Sequence, residues 1–191
     1  MMRQEEPVPG VEPVDVQPPA RLVPGSADVV RAFIAPPPGA EGQHPVLLAA
    51  GQLAAGHREQ WDAEDACRDA GADDHALAAS KRAIDLMNGA RAELVEEVDA
   101  WAVAALHGTA EAALHTETLG QVVDRLAVAW VRSRQLAQLA GDTPRERPIA
   151  RAALRQLAEL CDAYDDLVRD LREGRRRLPH WRSLKRYGAQ P

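Results

Sequence analysis

"ALRQLAELCDAYDDLVRDLREG", residues 153–174, decides the fold class. Its apolar positions Ala153, Leu157, Leu160, Tyr164, Leu167 and Leu171 recur at intervals of four and three, the period of one helix face. A half-buried strand would need strict alternation, which is missing. Gly174 is the residue best suited to the left-handed turn that closes a helix, so the helix should end there. Upstream, "GDTPRE" (141–146) opens it: Thr143 is placed to cap, Pro144 to take the first position and Glu146 to complete a capping box. Pro148 has no backbone N–H, so the regular helix has the option of starting there instead.

The same period extends toward the N-terminus. A helix is expected from Thr118, which forms a capping box with Gln121, through Leu119, Val122, Leu126 and Trp130 to about Ala140. Before it, a long helix runs from about Asp74 to Leu106 along Leu77, Ile84, Met87, Leu94, Val98, Trp101 and Ala105. The first helix begins near Pro45 and reaches about Asp69, where "DAGADD" (69–74) breaks it. "HGTAEAALHTE" (107–117) connects the second helix to the third, with room for a short helical turn. One Phe and two Tyr, with no run of alternating β-branched residues, leave strands almost no support. The expected fold is all-α, an up-and-down four-helix bundle.

Of the 14 prolines, ten fall in residues 7–45. Residues 1–43 therefore read as a Pro-rich extension, mostly disordered or loosely docked, with Val29-Val30-Arg31-Ala32-Phe33-Ile34 its one patch apolar enough to dock. Residues 44–187 form the bundle domain, with a basic C-terminal segment from about 174. No apolar run approaches the roughly 18 residues of a membrane span, and no secretory h-region opens the chain. The two cysteines, Cys67 and Cys161, read as buried reduced thiols of a cytoplasmic protein. A net charge of −6 disfavours nucleic acid as a partner, although "REGRRRLPHWRSLKR" (172–186) is locally basic.

Polar residues interrupt the apolar faces in specific places. Val46, Ala50, Leu53, His57, Trp61, Glu64 and Arg68 fall within an arc of about 80° on the first helix, so its core stripe turns polar halfway along. Asp65 lies beside that arc. A charge there needs a partner or a wet cavity. On the second helix, Lys81, Asp85 and Asn88 share a face, and Arg91 falls within the apolar line. The chain holds 23 Lys and Arg, of which only Lys81 and Lys185 are Lys. A compact ammonium at Lys81 suits phosphate or acid–base work better than a guanidinium does. The plainer alternative is an exposed Lys81–Asp85 pair worth about 0.3–0.5 kcal/mol. On the third helix Glu117, Gln121 and Asp124 share a side nearly opposite Leu119, Leu126 and Trp130, as on a surface helix. His115 precedes that helix, where a lone histidine is more often structural than a ligand.

"LHTETLGQVVDRLAV" (114–128), with "WDAEDACRD" (61–69) and "KRAIDLMNGARAELVEEVDAW" (81–101), resembles a bacterial family without assigned activity, domain of unknown function 4254. The likeness spans roughly residues 45–187 and ends in "LPHWRSLKRYG" (178–188). The resemblance implies an all-helical fold and marks Trp61, Glu64, Asp65, Lys81, Asp85, Asn88, Arg91, His115, Thr116, Glu117, Thr118, Gly120, Asp124 and Arg125. It supplies no substrate, and it does not include the Pro-rich leader.

Two function classes follow. The first is an enzyme or binding site for a small anionic ligand that carries phosphate, such as a nucleotide or sugar nucleotide. His115 is then the proton carrier, with Glu117, Asp124, Asp85 and Lys81 as catalytic partners. Trp61, Glu64, Asp65, Arg68, Asn88, Arg91, Thr116 and Arg125 bind the substrate. Glu64, Asp65, Lys81, Asp85, Asn88, His115, Glu117, Asp124 and Arg125 are expected to meet in one pocket near the start of the third helix. No cofactor is demanded, and the carboxylates are able to hold Mg²⁺. A di-iron pattern, a Gly-rich phosphate loop and zinc-ligand spacing are all missing. The second class is a non-catalytic partner protein that binds through its Pro-rich leader and a basic tail with Trp181 and Tyr187.

Overall fold

The computed structural model describes residues 22–35, 43–69 and 74–180, the side chains of 66–69, 74–77 and 142 excepted. The four expected helices are α2 (Pro45–Asp69), α3 (Asp74–Ala105), α4 (Leu119–Asp142) and α5 (Arg147–Arg172), and a short α1 (Ser26–Ile34) precedes them. The fold is all-α. At the start of α4 the Thr118 N–H donates to Gln121 Oε1 at 3.0 Å and the Gln121 N–H to Thr118 Oγ1 at 3.3 Å, the expected capping box. At the end of α5, Gly174 has φ 68°. Gly174 N–H donates to Leu171 O (3.3 Å) and Arg175 N–H to Asp170 O (2.9 Å), the paired bonds of a Schellman close. The second expected box does not form: Pro144–Glu146 is a 3-10 turn, Thr143 caps it without a side-chain bond, and α5 starts at Arg147. Pro148 has no N–H to offer the Pro144 carbonyl, so the regular helix starts later.

Residues 22–35 are built into the domain. Val29 and Phe33 are fully buried, and the Phe33 ring lies 5.7 Å from that of Trp130 on α4. Gly25, at the head of α1, has no side chain to cap with. The Asp165 carboxylate of α5 caps it instead, accepting from Ser26 N–H at 2.8 Å and Ser26 Oγ at 2.7 Å. The buried Tyr164 hydroxyl donates to Pro24 O (3.0 Å), and Arg172 Nη2 donates to Val23 O (2.7 Å). The apolar patch expected at most to dock is thus a core helix. The rest of the expected extension, residues 1–21 and 36–42, lies outside the described residues.

Helix α4 is central: α1, α2, α3 and α5 all pack on it. Helix α5 rests on α4 and α1, so α1 fills the seam at which the last helix of a simple four-helix bundle would close on the first. Both sides of α4 are therefore covered, and Asp124, on the side that reads as surface in the sequence, is only 6% exposed.

The α3–α4 contact is unusually close at Gly120. Its N–H donates to the Asp99 carboxylate at 2.7 Å, and a Cβ there would collide with the Val95 carbonyl oxygen and Asp99. Gly120→Ala should cost about 1–3 kcal/mol through this overpacking. Gly56→Ala, whose Cβ would meet nothing within 4 Å, should instead gain about 0.5–1 kcal/mol of helix propensity. Urea melts of the two variants check the contrast, and similar changes in both would contradict the contact.

The α3–α4 connection makes a turn at Thr109–Ala112 and then pairs in parallel with the chain leaving α5. Strand β1 (Ala113–Leu114) lies beside β2 (Arg176–Arg177), and His115 N–H extends the ladder to Arg177 O at 2.8 Å. Among the described residues no helix is long and apolar enough to cross a membrane. Cys161 is a free, half-exposed thiol whose pKa is pushed up by burial and by Asp165 and Asp162. The side chain of Cys67 lies outside the described residues.

Candidate functional site

Where the apolar stripe of α2 gives way, at His57, the chain meets a polar centre. His57 Nε2 lies 2.8 Å from Asp124 Oδ1 on α4. From α3, Arg91 clamps the same carboxylate, Nε to Oδ1 at 2.8 Å and Nη2 to Oδ2 at 2.5 Å. One buried carboxylate thus ties three helices. Burial alone would push the Asp124 carboxyl up, but the bonds from His57 and Arg91 and their charge outweigh it and hold the group below the usual carboxylate range. An ionised carboxylate only accepts, so His57 Nε2 must carry a proton and donate it. In the neutral ring this leaves Nδ1 as the basic nitrogen, and its orientation is fixed by Asp124.

His57 and Arg91 also line a cleft of about 240 Å³. Trp61 and Glu64 extend it along α2, and Val128, Val131 and Arg132 form its α4 wall. Gln60 belongs to it as well, with its amide donating to Glu64 Oε1 at 3.1 Å. Because α2 and α3 are antiparallel, Asn88 and Asp85 approach this same level. They lie three and six residues before Arg91, about 4.5 and 9 Å along the axis, and Lys81 lies about 15 Å away. Asn88 is half-buried; Lys81 and Asp85 are exposed, and among the described residues no ion pair joins them. Asp65 is half-buried on α2, and the Arg68 side chain lies outside the described residues. Among the described residues no three His, Cys, Asp or Glu side chains cluster as metal ligands.

Eight of the nine residues expected in one pocket therefore fall into two sets, and Lys81 joins neither. Asp124 meets His57 and Arg91, near the level of Trp61, Glu64, Asp65, Asn88 and Asp85. His115, Glu117 and Arg125 form a separate cluster at the mouth of α4. There His115 Nδ1 sits against the N–H (3.2 Å) and C=O (2.9 Å) of Glu117, whose carboxylate pairs with Arg125. Thr116 beside them is exposed. Gly120 anchors this end to Asp99, 14 residues beyond Asp85 and about 21 Å along α3. His115 is held by its own loop and does not reach Lys81 or Asp85. The imidazole that meets Asp124 is His57, not singled out as a site residue by the sequence; its position within a core arc, between Leu53 and Trp61, was the available signal.

A family model described as "Protein of unknown function (DUF4254)" matches residues 49–180. No curated protein and no solved structure matches the chain.

Proposed function

The chain belongs to the DUF4254 family, and on that premise we propose that its cleft between α2, α3 and α4 binds a small phosphate-bearing molecule and moves a proton on it. The observation that supports this is the His57–Asp124–Arg91 centre: a buried, ionised carboxylate that fixes a histidine at the wall of an open cleft. In this reading Arg91 and Arg132 face the phosphate, the Trp61 ring offers a flat wall to a base or sugar, and His57 Nδ1 accepts a proton from a bound hydroxyl or water. Asp124 is a positioning group that holds the tautomer and stabilises the imidazolium once it forms. Asn88 and Asp85 lie farther along α3, outside the residues that line the cleft. The free Cys161 thiol fits a cytoplasmic setting for such a protein.

A second reading, a non-catalytic partner protein, draws on the same pairing, because one carboxylate joined to two helices also specifies their register. Arg132 separates the two. It lines the cleft, is exposed, and takes no part in the three-way pairing. In thermal-shift assays with inorganic phosphate, nucleotides and sugar nucleotides, a binding compound at about 100 times its Kd should add roughly 2.7 kcal/mol to the wild-type protein. Arg132→Gln should abolish that shift and change unliganded stability by no more than about 0.5 kcal/mol. A wild-type protein that no such compound shifts, or an Arg132→Gln protein that shifts equally, contradicts the ligand site.

A further inference from the structure

A larger cavity, about 1050 Å³, lies at the opposite end of α3, between the C-terminal half of that helix, the α3–α4 connection and the chain leaving α5. Its two walls differ in chemistry. Ala102 and Val103 on α3, with Leu106 just past its end, present one apolar wall, and Arg172, Arg176 and Arg177 line the other beside Leu171 and Leu178. Arg176 Nε donates to Asp170 at 3.2 Å, so its charge is met. Arg172 and Arg177 are held differently: Arg172 donates to Val23 O at 2.7 Å and Arg177 Nε to Ala112 O at 3.1 Å. Both carbonyls are neutral, and among the described residues neither guanidinium is paired with a carboxylate. Each bond occupies one of five N–H donors and fixes the side chain, leaving two positioned positive charges at the rim of a cavity. The α3 wall also carries Glu96 and Asp99, about 15 and 10 Å along the axis from Leu106; the Asp99 carboxylate is engaged by Gly120 N–H.

From this arrangement we infer that the cavity binds an amphipathic anion, with a phosphate or carboxylate head on Arg172 and Arg177 and a short apolar chain against Ala102, Val103 and Leu106. The volume is at the upper end of small-molecule pockets and exceeds what a lone phosphate needs. An apolar wall facing guanidinium groups that no carboxylate pairs among the described residues favours a ligand with both parts. The α2–α4 cleft plays no part in this inference, so either site can fail without the other.

The test is calorimetric titration of the full chain with decyl phosphate, decanoate, decanol and inorganic phosphate, all kept below micellar concentrations. Decyl phosphate or decanoate, whichever head the site prefers, should bind at least tenfold tighter than both decanol and inorganic phosphate. Arg177→Gln should weaken that anion tenfold or more and leave decanol unchanged. Val103→Asp, at a position 51% exposed and so tolerant of a charge, should weaken it to a similar degree without lowering the melting temperature. If decanol binds as tightly as the two anions, if inorganic phosphate does, or if neither substitution weakens the anion, the inference is overturned. Should Val103→Asp fail to fold, an Arg177→Gln protein that binds the anion at full strength overturns it alone.

Discussion

Phe33→Ala should destabilise the protein by about 3–5 kcal/mol, the range for removing a buried aromatic side chain. In a domain of this size that is a fall in melting temperature of roughly 6–20 °C. The ring is fully buried against Trp130, and α1 has few other apolar anchors, chiefly Val29 and Ala32. With only nine residues, α1 is too short to hold together without its tertiary contacts. Phe33→Ala should therefore also free Ser26 and Pro24 from Asp165 and Tyr164, and amide exchange across residues 26–34 should rise. Tyr164→Phe, which removes only the hydroxyl bonded to Pro24 O, should cost about 1 kcal/mol. A Phe33→Ala protein with an unchanged denaturant midpoint would show that α1 is dispensable.

Asp124→Ala comes next, at about 3 kcal/mol. Breaking a buried pair by removing one partner costs roughly 3–5 kcal/mol, because the other charge is left stranded. The lower end applies here, because the Arg91 side chain is 42% exposed and reaches water. The effect should depend on pH with a definite sign. The Asp124 carboxyl is held below its ordinary value in the folded protein, so its ionisation contributes stability in full above the unfolded value of about 3.9. That contribution is lost as the pH falls through the lower, folded value. The stability gap between wild type and Asp124→Asn should be widest near neutrality and should close in acid. A gap that widens as the pH drops would mean the carboxyl is protonated in the fold.

What the sequence makes legible is local. The three-four spacing of Ala153 to Leu171, the Thr118–Gln121 box and the Gly174 close each involve residues within a turn or two of one another, and all are present in the fold. Helix α1 is not legible, because a six-residue apolar patch among prolines looks like a tail until its partners are known. Ser26 meets Asp165 across 139 residues of chain. The site divides in the same way. His115 stands out because it lies beside Glu117, and that is the group it bonds. His57 is hidden because its partner, Asp124, is 67 residues away, and a histidine between Leu53 and Trp61 reads as part of a core stripe. Asp124 reads as a surface group because the wheel of one helix does not reveal that α1, α2, α3 and α5 surround it.

In the proposed site, Asp124 holds His57 with its proton on Nε2 and leaves Nδ1 to the ligand in the cleft. Nitrogen NMR of the imidazole rings, assigned with His57→Gln, reads both halves directly. The His57 Nε2 should show a bound proton, the arrangement in which it donates to the Asp124 carboxylate. The Nδ1 signal should move on titration with inorganic phosphate or a nucleotide that raises the melting temperature. A ring protonated on Nδ1 and bare at Nε2, or one that no phosphate-bearing compound perturbs, would contradict the account.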